Sequence, residues 1–160
     1  MKKSLLLSFS GSRTNEGAVK AARIFNDLFI MKKVWYLPRM SRKLEIGDKL
    51  LFYQAREGVV GEATAALVAA SLESTDLGLL QGLGLGFLTI RVELKDTVSY
   101  GEPVRLGPIV ESLSFISNKQ FWGHSLRSTP RVLSEVDFNL ISGLGRSGHD
   151  HTAASLLKVI

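Results

Sequence analysis

The stretch LEIGDKLLFYQAREGVVGEATAALV, Leu44 to Val68, decides the fold. Lys49–Tyr53 reads as a strand, and Arg56-Glu57-Gly58 as the turn that ends it. Val59–Val68 reads as the returning strand of a β-hairpin. Gly61 inside it marks a bulge or a close approach of another backbone. A chain that commits 25 consecutive residues to a hairpin and its lead-in is building a sheet.

Immediately upstream lies MKKVWYLPRMSRK, Met31 to Lys43. Lys32, Lys33, Arg39, Arg42 and Lys43 are cations with no acid among them. Pro38 forbids a helix here and leaves Trp35 and Tyr36 on extended or loop backbone. Two readings of the Trp-Tyr pair stand side by side. Aromatics before a strand serve a buried core. In a cationic segment they also suit stacking on a base while the cations hold the backbone.

Further upstream, Leu5 to Phe9 is a short apolar strand closed by Gly11-Ser12. Ser12 or Thr14 offers a helix cap, and Ala18, Ala21, Ala22, Phe25, Leu28 and Phe29 recur at helical spacing, which predicts a helix near 15–30. Downstream, residues 69–86 read as a flexible connection or strand entry. Gly82, Gly84 and Gly86 alternate there without the lysine and spacing of a phosphate loop. Leu88, Ile90, Val92 and Leu94 alternate with polar residues, predicting a strand over Phe87–Val98. Ile109–Ile116 reads as a helical turn. Ser134-Glu135-Val136-Asp137 has the form of a capping box before a short helix through Val136, Leu140 and Ile141. After Ser142 small and polar residues dominate. Residues 1–142 are therefore expected as one domain and 143–160 as a partly flexible tail.

The expected fold class is α+β, a curled or barrel-like mixed sheet flanked by helices. The length of 160 residues fits one domain, and 45% hydrophobic against 22% charged residues is enough for a full core. The absence of cysteine excludes disulfides, thiolate metal sites and a cysteine nucleophile, and fits a reducing cytoplasm. The apolar run at Leu5–Leu7 and Phe9 is too short for a secretory signal, and no stretch reaches the length of a membrane span. The net charge of +5 is uneven, with 12 Lys and Arg against 5 Asp and Glu through residue 60, and 8 against 10 beyond it. A basic half points to an anionic partner, and nucleic acid is the commonest large one.

His149-Asp150-His151 is the one cluster that resembles a metal or acid–base site, and the remaining histidine is His124. A held metal needs three or four ligands, so this reads as a polar tail and no metal or cofactor is expected. Ser125 and Ser147 lack the strand–turn–helix elbow of a nucleophile. With no catalytic set legible, the expectation is a binding module rather than an enzyme.

The order of features resembles the EVE branch of the PUA-like superfamily, which also contains the YTH readers of methylated bases. The resemblance runs from about Leu5 to Ile141. It rests on Phe9-Ser10-Gly11-Ser12, on Asn15-Glu16 opening a helix, and on Trp35 before the hairpin. It continues through Ile46-Gly47-Asp48-Lys49-Leu50-Leu51-Phe52-Tyr53 and Gly58-Val59-Val60-Gly61-Glu62-Ala63, then Leu113-Ser114-Phe115-Ile116, Trp122-Gly123 and Glu135-Val136-Asp137-Phe138. The resemblance implies a PUA-like curled sheet with a pocket for a nucleobase, modified bases included, taken out of its stack. By position it implies Ser10 at the rim, Asn15 reading the base edge, Trp35 as one wall with Tyr36 adjoining, and Trp122 approaching from late in the chain. Residues 69–86 carry no aromatic, a departure from the YTH cage. Lys32, Lys33, Arg39, Arg42 and Lys43 would hold flanking phosphates of RNA or DNA. On this reading Trp35→Ala lowers affinity without unfolding the domain. The alternative is a small-molecule or protein-interaction module using the same pocket.

Overall fold

The computed structural model describes residues 2–39, 44–117, 119–126 and 130–159, and the side chains among them except those of 124, 125 and 148–159. The strands are β1 (Ser4–Phe9), β2 (Ser12–Thr14), β3 (Gly17–Val19), β4 (Val34–Leu37), β5 (Lys49–Gln54), β6 (Gly58–Ala69), β7 (Ile90–Val104) and β8 (Arg131–Leu133). Six of them form one sheet in the order β4-β7-β6-β5-β1-β8. β1 runs parallel to β5, and the other neighbours are antiparallel. The fold is α+β with a strongly curled, half-barrel sheet, consistent with a PUA-like architecture.

The curl has a local cause. The β6–β7 ladder shifts register three times, at Val59/Gly61, Glu62/Thr64 and Ala65/Leu67, and β5–β6 shifts once at Phe52/Tyr53. Each extra residue bends its strand and increases the twist. Gly61 sits at the first shift, as its place in the sequence suggested. A Cβ there would stand 2.9 Å from the Val98 carbonyl oxygen and 3.0 Å from the Phe25 ring.

Period-two alternation sorts the central strands onto two cores. Leu5, Leu7, Leu50 and Phe52 face one cluster, which also holds Trp35, Phe25 and Phe29. Leu6, Leu51 and Tyr53 face the other, with Tyr100, Leu113, Phe138 and Ile141. A parallel β1–β5 pair needs a long crossover. That crossover carries the small β2–β3 hairpin, helix α1 (Ala21–Phe25), a π-helical run (Asn26–Lys32) and β4. Ile24, Phe25, Leu28 and Phe29 form its buried face.

Three elements depart from the sequence reading. Asn15-Glu16 does not open a helix but turns the β2–β3 hairpin, with the Glu16 amide donating to Thr14 Oγ1 at 3.1 Å. Residues 69–86 contain helix α2 (Ser74–Gly82), started by a reciprocal Glu73–Asp76 capping box. Composition hid it, because Gly78 and Gly82 look like breakers. The last helix, α3 (Glu135–Val159), begins at the expected Ser134 cap but runs past Ser142. Gly145 lets α3 lie flat against the sheet, since a Cβ there would fall 2.3 Å from the Tyr100 ring.

Candidate functional site

The first core is not completely filled. A hollow of about 490 Å³ opens beside Trp35, walled by Ile24 and Leu28 of the crossover, the end of β4 at Leu37-Pro38, and Phe87. It is also lined by the end of β1, the turn after it and the start of β2, where Ser8, Ser10 and Ser12 supply hydroxyls. The Gly84 turn closes one side by lying against the Arg13 backbone. Gly84 has φ +70°, and a Cβ would stand 2.5 Å from the Arg13 carbonyl oxygen. The Ser12 hydroxyl donates to the Leu83 carbonyl across the same seam.

Trp35 is only 4% exposed. Its ring meets Phe9 at 5.0 Å and Phe52 at 4.9 Å, both edge-on, and Phe25 at 6.4 Å. The core reading of this residue holds, and the indole also lines the hollow. Its burial overturns the expectation for Trp35→Ala, which would open a void costing about 3–5 kcal/mol. The opposite condition holds at Phe87, which is 69% exposed and lines the same hollow. A large apolar ring left in water at a pocket mouth is the informative kind of exposure.

Hydroxyl accounting separates the three serines. Ser8 Oγ donates to the Leu126 carbonyl at 3.1 Å and Ser12 to Leu83. Among the described residues Ser10 keeps only a long 3.4 Å contact to the Gly11 carbonyl, and it is exposed, so of the three its hydroxyl is the one at liberty to meet a guest. Arg13 brings a cation to the lining. Among the described residues lining the hollow there is no carboxylate and no imidazole.

The other predicted residues scatter around this point. Tyr36 lines the hollow but turns its hydroxyl to Asp76 on α2, at 2.6 Å. Burial and that hydrogen bond push the phenol well above its ordinary range. Burial pushes Asp76 up, but the bonds from Tyr36 and the Glu73 amide, with the nearby Arg91, outweigh it and hold the carboxylate below its usual range. Asn15 lines a separate cleft with Gln81 and Gly86, joined to the hollow through Arg13 and Gly84. Lys32 and Lys33 line a notch on the far side of Tyr36. Arg39 is exposed in the turn after β4. Trp122 is half-buried against the second core, its ring beside Gly107, and does not line the hollow. Arg42 and Lys43 lie outside the described residues, as do the side chains of His124, His149 and His151.

Sequence reasoning missed Arg13, Phe87 and α2. Phe87 stands one residue past the aromatic-free segment 69–86. Arg13 is separated from Gly84 by seventy-one residues, and only the fold joins them.

No family model matches the chain. Among similar proteins, a UPF0310 protein of Pyrococcus abyssi is 32% identical over 126 residues, covering 71% of this chain and 87% of that protein. A UPF0310 protein of Bacillus licheniformis, named for its place in the gntR 5′ region, is 28% identical over 101 residues, 62% of this chain and 67% of that protein.

Proposed function

The chain belongs to the UPF0310 family, and from that premise we propose that it is a non-catalytic nucleic-acid-binding module whose hollow beside Trp35 receives a base taken out of its stack. The observation that carries this reading is the pairing of a buried indole with an exposed Phe87 around about 490 Å³ of open space. That volume lies within the roughly 300–1,000 Å³ of small-ligand pockets. A flat guest gains apolar contact on its face, and the Ser10 hydroxyl and nearby backbone meet its edge. Stacking on aromatics is worth about 1–3 kcal/mol per base, comparable to what unstacking costs. The basic first half of the chain supplies the long-range attraction. The resemblance to the EVE branch of the PUA-like superfamily supports the same reading, and it extends the guest to modified bases.

The test is binding of the full chain to a panel of modified and unmodified single-stranded oligonucleotides at two salt concentrations. Binding is expected to weaken with salt as counterion release loses its advantage. Phe87→Ala, an exposed position, is expected to weaken it by about 1–2 kcal/mol while the fold stays intact. Salt-insensitive occupancy of the hollow by small planar compounds, with no oligonucleotide bound, would instead support a small-molecule module.

A further inference from the structure

We propose that the notch formed by Lys32, Lys33 and Arg91 holds a phosphodiester of the strand whose base enters the hollow; this rests on the function proposed above. The notch has a volume of about 270 Å³, and Tyr36 lines both it and the hollow. β4, which carries Tyr36, is an edge strand of the sheet, bordered among the described residues by β7 alone. A strand laid along that edge therefore passes both cavities.

The chemistry of the notch is unfinished. The Nε–H of Arg91 is buried and finds no acceptor among the described residues. Its Nη1 lies 4.0 Å from Asp76 Oδ2, beyond hydrogen-bond distance. Asp76 is already engaged, since Oδ1 accepts from the Tyr36 hydroxyl and Oδ2 from the Glu73 amide at 2.9 Å. A buried guanidinium donor with no acceptor is costly, and the guanidinium that carries it lines the notch with its side chain partly exposed, where an anion would meet it. Lys32 and Lys33 are exposed beside it, and Lys33 Nζ makes only a long 3.4 Å contact with Thr97. Thr75 adds a hydroxyl to the same wall.

Charge selects the kind of phosphate. Three cations, Lys32, Lys33 and Arg91, face two carboxylates, Asp76 and Glu93. The excess is a single positive charge. That matches a singly charged diester better than a doubly charged terminal phosphate, whose second negative charge would be left uncompensated. The planar guanidinium offers the donor fork that phosphate oxygens accept.

The experiment follows two signals of the isotope-labelled full chain by NMR, the Arg91 Nε–H and the Trp35 indole N–H. Three probes are added in turn: inorganic phosphate, a short single-stranded oligonucleotide, and the same oligonucleotide with uncharged methylphosphonate linkages. The natural oligonucleotide is expected to move both signals, the uncharged one Trp35 alone, and inorganic phosphate Arg91 alone at much higher concentration. Lys32→Gln with Lys33→Gln is expected to weaken the natural oligonucleotide by roughly five- to tenfold and lower the salt slope by about 1–2. If the natural oligonucleotide moves Trp35 while Arg91 stays still and the double variant binds normally, the notch proposal fails and the hollow stands. If inorganic phosphate moves Arg91 but no oligonucleotide reaches Trp35, the base-binding reading fails and the diester occupant with it. If nothing moves either signal, both fall.

Discussion

The molecule contains the same three groups twice, a tyrosine, a carboxylate and an arginine, and treats them differently. At the α3 face, Tyr100 donates to Glu62 Oε1 at 2.8 Å and Ser142 donates to the same oxygen at 2.6 Å. Arg146 closes the set with both Nε and Nη2 on Glu62, at 3.0 and 2.9 Å. At the β4 edge, Tyr36 donates to Asp76, but Arg91 stops 4.0 Å short and its Nε–H is unmet among the described residues. The first set is a fastening: it ties α3 to β6 and β7, and every partner it needs is protein. The second is an opening: it borders two cavities and leaves a donor over. A buried polar group is expected to be satisfied, and it is on the unsatisfied copy that the proposed phosphodiester site rests.

The largest way to break this contrast is at the fastening. Glu62→Ala is expected to cost roughly 2–4 kcal/mol, because it strands the buried Tyr100 and Ser142 hydroxyls and removes the carboxylate that Arg146 grips. Urea unfolding measures it, and a loss under 1 kcal/mol would show the set to be incidental. Next comes acid. Burial pushes the Glu62 carboxyl up, but the bonds from Arg146, Ser142 and Tyr100 outweigh it and hold the carboxyl below its ordinary value. A lowered carboxyl adds stability that is present above the unfolded value near 4.5 and is lost as pH falls through the lower folded value. Stability should therefore decline below about pH 4.5, and Glu62→Gln should make that decline shallower. Asp48 keeps some of it in place. Burial raises its carboxyl, but Lys3 and the amides of Glu45 and Lys3 together bring it down. An unchanged acid limb in Glu62→Gln would remove Glu62 from the account. The smallest effect belongs to the opening. Arg91→Met should shift stability by about 1 kcal/mol, since it gives up a 4.0 Å ion pair with Asp76 but, at its Nε–H, no hydrogen bond among the described residues. A loss as large as that of Glu62→Ala would mean that Arg91 serves the fold, and the contrast would collapse.

What the sequence made legible follows the range of the interaction. The hairpin of β5 and β6, the alternation through Val92 and Leu94, the Ser134 cap and the Gly61 close approach all depend on neighbours or on period, and all are found. The α2 helix was hidden because its start depends on Glu73 and Asp76 answering each other and on Tyr36 holding Asp76 from forty residues away. The extension of α3 was hidden because Gly143, Gly145 and Ser147 look like a loop until Tyr100 is placed against Gly145 and Glu62 against Arg146. The site was legible in its anchor and not in its outline. Trp35 stands at the hollow, but its aromatic counterpart, Phe87, and its cation, Arg13, come from segments joined only by the fold. Trp122 had the right residue type and the wrong core.

The most direct test uses the fact that the chain has two tryptophans. Trp122→Phe leaves Trp35 as the sole indole, so fluorescence reports the hollow alone. Saturable quenching by a short single-stranded oligonucleotide is expected, weakening as salt rises and reduced by Phe87→Ala. Unchanged Trp35 emission at oligonucleotide concentrations that saturate binding elsewhere on the protein would contradict it.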